Sequence, residues 1–297
     1  MIIKKIVAVS LAAAFISVGA VGIALSPNKV LPDNEINLPE VSLPEPPAVQ
    51  PEIPEQEIPN LPEQPEQPEQ QPGLPEQEPP KPEIEVKTVK YIKVTGDGVN
   101  LRTGAGTSYS VKGVAEKNTL YAYLGTAGDW YKLGYKNSTV YVSKKFCTVV
   151  EMQKSDNKEV EEVIEDGTKF MGVKYVYGAV RYHNGSGVKL KGFTTSAFDC
   201  SSLMQYIFYT GAGELLQVNT RTQVYQGKTV KKSQLKRGDL MFFTNATRIN
   251  KKGVERIGHV ALYLGDNYIL HTASDYAKIE QISSTRWSYY IQTQRIL

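Results

Sequence analysis

Three of the five cysteine and histidine residues in this 297-residue chain fall into an order that suits amide-bond chemistry. Cys200 stands in "FDCSSLMQYIF", between an acid and two serines, at the head of an apolar helical run. A free thiol has a pKa of about 8.5 and is a weak nucleophile at neutral pH until a helix N-terminus or an imidazolium lowers it. The first position of a helix is such a setting, because the dipole there favours a thiolate. His259 opens the run "GHVALYLG", and His271 closes the run "YILH". The "GDN" between them is a hairpin turn. That spacing puts both side chains at one end of a two-stranded unit. One imidazole then faces the thiol, and the other holds the first in its working tautomer. His183, in "RYHNGSG", has no comparable setting and reads as structural. Cys147, in "KKFCTVV", reads as a small buried residue just past the last strand of its unit. A plainer account of the two cysteines is one disulfide, which would leave Cys200 inert. No fourth ligand accompanies one cysteine and two histidines, so neither a metal nor a cofactor is expected.

The elements that must position these residues follow from periodicity. "NKEVEEVIEDGTKFMG" places Val160, Val163, Ile164 and Phe170 on one helical face, with Asp156 or Asn157 as the cap. A second helix begins at Cys200, capped by Asp199, and stops at Gly211. The later runs "LMFFT", "GHVALYLG" and "YILHTAS" are strands. Helices first and antiparallel strands later define an α+β domain over residues 156–297. Residues 88–150 alternate short apolar runs with glycine-rich turns, the pattern of a small all-β barrel. Its core is expected to draw on Val99, Leu101, Val114, Leu120, Trp130, Leu133 and Val140. Residues 148–157, "TVVEMQKSDN", read as a short polar connection that gives no sign of rigid docking but keeps the two units adjacent, so contact between them is expected.

The rest of the chain is not domain-like. All 17 prolines lie between Pro27 and Pro82. Residues 27–86 carry many glutamates, few apolar residues and no aromatic one, so they cannot bury enough surface to offset ordering entropy. They read as an extended, polyproline-like spacer that repels itself. Residues 1–26 combine a short basic head with an uncharged apolar run, a signal peptide or membrane anchor. The formal net charge is +3; the spacer contributes −12 and Lys4 with Lys5 +2, leaving +13 on the globular part. A basic globular part suits an acidic partner. Export selects the bacterial wall over nucleic acid, and a membrane only if the N-terminal segment is retained.

Five segments, "KYVYG", "AFDCSSLMQYIF", "LKRGDLMFF", "IGHVALYLG" and "YILHTAS", occur in the order found in the NlpC/P60 family of peptidoglycan endopeptidases, which residues 158–297 resemble. These are papain-like cysteine peptidases. The resemblance implies Cys200 as nucleophile, His259 as general base and His271 as the residue that orients it. It implies that Tyr175 contacts the thiol and helps an oxyanion site, and that Tyr177 and Thr220 face substrate. It also implies that Asp199 and Ser201 hold the free amine or carboxylate ends of a stem peptide. Upstream, "VNLRTGAGTS" and "GDWYKL" resemble the bacterial SH3 domain, a wall-associated module. In the family such a domain can pack beside the cleft and restrict it to short peptides, with Tyr121, Tyr123 or Trp130 as candidates to face either the catalytic unit or the substrate here, and with covering of the barrel's own core as the plainer role for Trp130. The sequence departs from the family in three places. "GAV" replaces the usual Gly-Gly, "VNTRT" replaces an Arg-Thr-Ser stretch, and about a dozen extra residues, Arg181 to Thr195, form a loop at the cleft rim.

The expected function is that of a secreted, monomeric thiol protease of the cell wall. It is expected to cleave the γ-D-glutamyl to diamino acid bond of peptidoglycan stem peptides. The alternatives are an amidase or crossbridge peptidase with the same triad, or a non-catalytic wall-binding protein.

Overall fold

The computed structural model describes residues 87–297, so the expectations for the N-terminal segment (1–26) and the spacer (27–86) lie outside the described residues. The first part is built from β1 (Thr88–Val94), β2 (Val99–Arg102), β3 (Val111–Ala115), β4 (Leu120–Ala127), β5 (Trp130–Tyr135), β6 (Ser138–Ser143) and β7 (Cys147–Gln153). All pairings among them are antiparallel: β1 lies between β4 and β7, and the ladder continues from β4 through β5, β6 and β2 to β3. Leu101, Leu120, Leu133 and Val140 are fully buried at its centre.

Four expectations for this barrel are corrected. Val114 is 52% exposed and Trp130 is only half-buried. The register sets Val99 opposite Ala115, so Ala115 takes the inward place. Val114, one residue back, faces out, because strand neighbours alternate. Cys147 does not follow the last strand but opens β7, and residues 148–153 are not a linker. Their backbone groups pair with β1 from Val94↔Cys147 to Thr88↔Gln153, and Met152 is buried between exposed neighbours. This short edge strand is held because the ladder satisfies its amides and carbonyls.

The second part contains α1 (Lys158–Lys169), β8 (Lys174–Tyr175), β9 (Ala197–Phe198), α2 (Cys200–Ala212), α3 (Thr220–Gln223), β10 (Lys228–Val230), β11 (Leu240–Phe243), β12 (His259–Gly265), β13 (Tyr268–Ala273), β14 (Tyr276–Gln281), α4 (Ser284–Ser288) and β15 (Tyr290–Arg295). This mixture of helix and antiparallel strand is the α+β arrangement expected. Its sheet runs β10-β15-β11-β12-β13-β14. The helices α1 and α2 pack on each other, and α2 also meets β12 and β13 through a face of fully buried Leu203, Met204, Ile207 and Phe208. Asn157, one of the two expected caps, accepts the Glu159 amide at 2.9 Å.

The expected end of α2 at Gly211 is also corrected. The helix continues to Ala212 and is closed by Gly213 in the left-handed conformation, φ 72°. Gly211 has a different role. A Cβ there would lie 2.6 Å from the backbone of Val163, so this glycine lets α1 and α2 approach.

The barrel and the α+β part share one buried core. β4 pairs with β14 at Leu120↔Ile279. The Arg237 guanidinium donates to both carboxylate oxygens of Glu161, at 2.6 and 3.0 Å, and to the Tyr91 hydroxyl at 3.0 Å. The Lys136 amide donates to the Met171 carbonyl at 2.8 Å and the Asn137 amide to that of Lys169 at 2.6 Å. The barrel is thus docked along β14 and α1 rather than merely tethered.

Candidate active site

Asp199 and Ser202 set the head of α2 by a reciprocal cap: Asp199 Oδ1 accepts the Ser202 amide at 2.8 Å, and Ser202 Oγ accepts the Asp199 amide at 2.9 Å. This leaves Cys200 as the first helical residue, 7% exposed. Asp199 is fully engaged beyond its cap. Oδ1 also accepts the Ser201 hydroxyl at 3.0 Å, while Oδ2 accepts the Gly178 amide at 3.1 Å and pairs with Arg181 Nη1 at 2.7 Å. Arg181 in turn donates to Ser201 Oγ at 3.0 Å and to the Val218 carbonyl at 2.6 Å.

The expectation that the helix head would favour a thiolate meets opposing forces here. Burial, and secondarily the Asp199 carboxylate, push the Cys200 thiol up to about 12, against the pull of the Val260 and Ser201 amides and of Arg181. Burial first, then His271 and Arg286, hold His259 well below the ordinary imidazole value. The resting pair is therefore a neutral thiol and a neutral imidazole, and deprotonation belongs to the encounter with substrate.

The histidines lie where the strands intend them. Leu262↔Leu270 and Tyr263↔Ile269 fix the register of β12 and β13. Continuing that register places His271 diagonally across from His259 on one face. The turn between the strands has Asp266 and Asn267 at φ 49° and 64°, the left-handed pair of a tight hairpin. His259 Nε2 and His271 Nδ1 are 3.0 Å apart, with the rings nearly perpendicular at 78°. The Val260 amide that reaches the Cys200 sulfur belongs to the residue beside His259, so the thiol sits at the start of β12. Beyond His271, its Nε2 lies 3.0 Å from Glu280 Oε1 on β14.

Cys200 opens into a cleft lined by Tyr175, Tyr177, Asp199, Ser201 and Thr220, so the structure brings all five expected substrate contacts together. Tyr177 is 83% exposed there, whereas Thr220 is buried at the capped start of α3. Burial, then the neighbouring Cys200 and Asp199, raise the Tyr175 hydroxyl to about 12, so it remains an O–H donor beside the thiol. Arg181, Arg221 and Arg248 also line the cleft, Arg181 paired with Asp199 and the other two with Glu255 at 3.1 and 3.0 Å.

Other expectations fare differently. Among the described residues no barrel side chain lines this cleft. Of the two alternatives for the barrel aromatics, Tyr121 in the shared core and Tyr123 at a groove beside α1 take the one toward the α+β part and not the one toward substrate, while Trp130 lines a recess within the barrel. The extra loop is more than a rim: Tyr182 and Phe193 pack edge-on and stacked against Tyr206 of α2, at 5.2 and 5.1 Å. His183 is buried, its Nδ1 accepting the Gly185 amide at 3.0 Å, away from the other histidines. Both cysteines are free, and burial raises Cys147 to about 11. Arg181 and Glu280 were not legible as site residues. One lies in the inserted loop, and the other needs the register between β13 and β14, which the sequence does not give.

The fold and site define an α+β domain, docked on a small barrel, that gathers one thiol and a tyrosine hydroxyl at a cleft, with two imidazoles beside the thiol on β12 and β13. Residues 172–295 match the NlpC/P60 family and residues 97–147 the bacterial SH3 domain. The chain thus carries an NlpC/P60 domain preceded by a bacterial SH3 domain. A gamma-D-glutamyl-L-lysine dipeptidyl-peptidase of Bacillus subtilis (strain 168) is 30% identical over 159 residues, 52% of this chain and 46% of that protein. A probable endopeptidase NlpC homolog of Haemophilus influenzae is 30% identical over 129 residues, 43% of this chain and 64% of that protein. The chain therefore spans less than two thirds of the length of either. The crystal structure of an NlpC/P60 family protein from Bacillus cereus ATCC 10987 is similar at 22% identity, covering 70% of this chain and 64% of that one with a TM-score of 0.38.

Proposed function

We propose that this protein is an exported cell-wall hydrolase that cleaves an amide bond in peptidoglycan stem peptides. The bond is that between γ-D-glutamate and the diamino acid, and Cys200, His259 and His271 act together on it. The observation that carries the reading is the helix-head thiol at the start of β12, one residue from a histidine that is itself held by a second histidine at 3.0 Å. The Cys200 sulfur attacks the carbonyl carbon while its proton passes to His259. His259 then protonates the leaving amine, and the acyl group remains on sulfur as a thioester. Water, deprotonated by His259, releases the acid and restores the thiol. The Tyr175 hydroxyl, kept protonated, supports the oxyanion. The gamma-D-glutamyl-L-lysine activity in the name of the Bacillus subtilis relative supports the bond, and the name of the Haemophilus influenzae relative supports an endopeptidase. The non-catalytic alternative built on a Cys147–Cys200 disulfide has no support from two free cysteines.

Mass spectrometry of muropeptides after digestion is the test. The full chain is expected to release fragments cut after the γ-glutamyl carbonyl. Cys200→Ala and His259→Ala are expected to abolish release, and His271→Ala to slow it by about 10²- to 10⁴-fold as the base loses its orientation. Undiminished turnover by Cys200→Ala overturns the reading.

A further inference from the structure

Three charged or titratable side chains run diagonally across three adjacent strands: His259 on β12, His271 on β13 and Glu280 on β14. His271 pairs with Lys278 and Ile269 with Glu280, so Glu280 is the diagonal neighbour of His271 on the same face. Two contacts of 3.0 Å join the row, His259 Nε2 to His271 Nδ1 and His271 Nε2 to Glu280 Oε1. His271 is completely buried and His259 nearly so, whereas the Glu280 side chain is 31% exposed. The carboxylate is further held by Arg286 of α4 at 3.1 Å and approached by Lys278 at 3.9 Å. Lys93, Glu116 and Lys117 of the barrel line the same recess, and Lys278 also pairs with Glu116 at 3.4 Å.

We infer that Glu280 is the positioning residue of this site, fixing the tautomers of both histidines so that His259 Nδ1 is left as the basic lone pair. The inference rests on the reading of His259 as the base. A carboxylate only accepts hydrogen bonds, so His271 must carry its proton on Nε2. Its Nδ1 is then bare and accepts, which obliges His259 to donate from Nε2. The remaining nitrogen of His259, Nδ1, is the only one able to take the thiol proton. Without Glu280, His271 can present N–H from Nδ1, and His259 would then turn its lone pair inward, away from Cys200. Glu280 is ionised throughout the working range. Burial acts to raise its carboxyl, but the His271 hydrogen bond and the nearby Arg286 and Lys278 hold it at about 2. Its negative charge also offsets the imidazolium that forms on His259 during attack, so its loss lowers the pKa of the pair.

Two variants of the full chain separate tautomer from charge. Glu280→Leu removes the acceptor, and Glu280→Gln keeps an oxygen acceptor but removes the charge. Selective ¹⁵N-histidine labelling gives only three rings to assign. In the wild-type protein both His259 and His271 are expected as Nε2–H tautomers by long-range ¹H–¹⁵N correlation. In Glu280→Leu, His271 is expected to populate the Nδ1–H form and kcat on a soluble stem peptide to fall by 10- to 100-fold with KM little changed. In Glu280→Gln, the tautomers are expected to persist while the acid limb of the kcat profile moves to lower pH. Unchanged tautomers in Glu280→Leu, or an unmoved acid limb in Glu280→Gln, overturns the inference. The spectra report tautomers whether or not the protein turns over substrate. Failure of the hydrolase reading would therefore appear as an inactive wild type with the Nε2–H pair intact.

Discussion

Asp199 carries four hydrogen-bond contacts on its two oxygens, and one of them comes from a guanidinium. A carboxylate in that state caps α2 and steadies Ser201, but it has no free lone pair directed at an incoming ammonium. The resemblance assigned Asp199 and Ser201 jointly to the amine or carboxylate end of a stem peptide. The pairing with Arg181 weighs against the amine, because a peptide's amino end would have to displace a cation whose side chain is only 16% exposed. Stem peptides with an acetylated and with a free amino end are therefore expected to be cleaved with kcat/KM values within about threefold of each other. Arg181→Ala vacates the position and is expected to create a preference for the free amine of about 10-fold or more, the scale of one charge-assisted hydrogen bond of ~1.5–3 kcal/mol. Steady-state kinetics on the two peptides decides it, and a strong wild-type preference for the free amine would sink the idea. The sequence showed Cys200, His259 and His271 because their types are rare in the chain and their spacing is strand-like. It could not show Arg181, whose role depends on how an inserted loop folds back over a helix cap.

At the scale of elements, the two glycines near the end of α2 look alike in "TGAGE" but do opposite work. Gly213 ends the helix because φ 72° costs an L-residue about 1–2 kcal/mol. Gly211 is inside the helix, where alanine is intrinsically better by about 1 kcal/mol. Its Cβ, however, would meet the backbone of Val163 at 2.6 Å, and a backbone cannot rotate aside. Overpacking of this kind costs ~1–3 kcal/mol, so the clash should outweigh the propensity gain. Gly211→Ala is expected to lower the urea midpoint by an amount equivalent to about 1–2 kcal/mol, with the m-value unchanged. A more stable variant would show that α1 shifts freely. Helix starts were legible because caps have side chains. The stop was misplaced because a glycine used for contact and a glycine used for left-handed closure have no side chain to tell them apart. β7 was missed for a different reason: with only Met152 buried, its exposed residues show no inward face, and the strand is held through its backbone pairing with β1.

At the scale of the molecule, the barrel is joined to the α+β part by more than a connecting segment. Ile279 pairs with Leu120 across the junction, one residue before Glu280, and Arg237 binds Glu161 and Tyr91 with its side chain 6% exposed. The short connection led to an expectation of contact between the two units, but the residues that make it were not legible, since none of them is unusual in type. The cleft, by contrast, draws none of its lining from the barrel among the described residues. The barrel is thus expected to support β14 rather than to gate substrate. Calorimetry of the full chain should show one cooperative transition for the two parts. A fragment beginning at residue 156 should unfold at a lower temperature, because it exposes the β14 edge and leaves Arg237 without Tyr91. Where that fragment remains folded, its ratio of rates on a short stem peptide and on intact sacculi, after correction for wall binding, should match that of the full chain. Two separate transitions in the full chain would show that the parts are only tethered. A fragment with an unchanged melting temperature but a wider substrate range would instead make the barrel a gate.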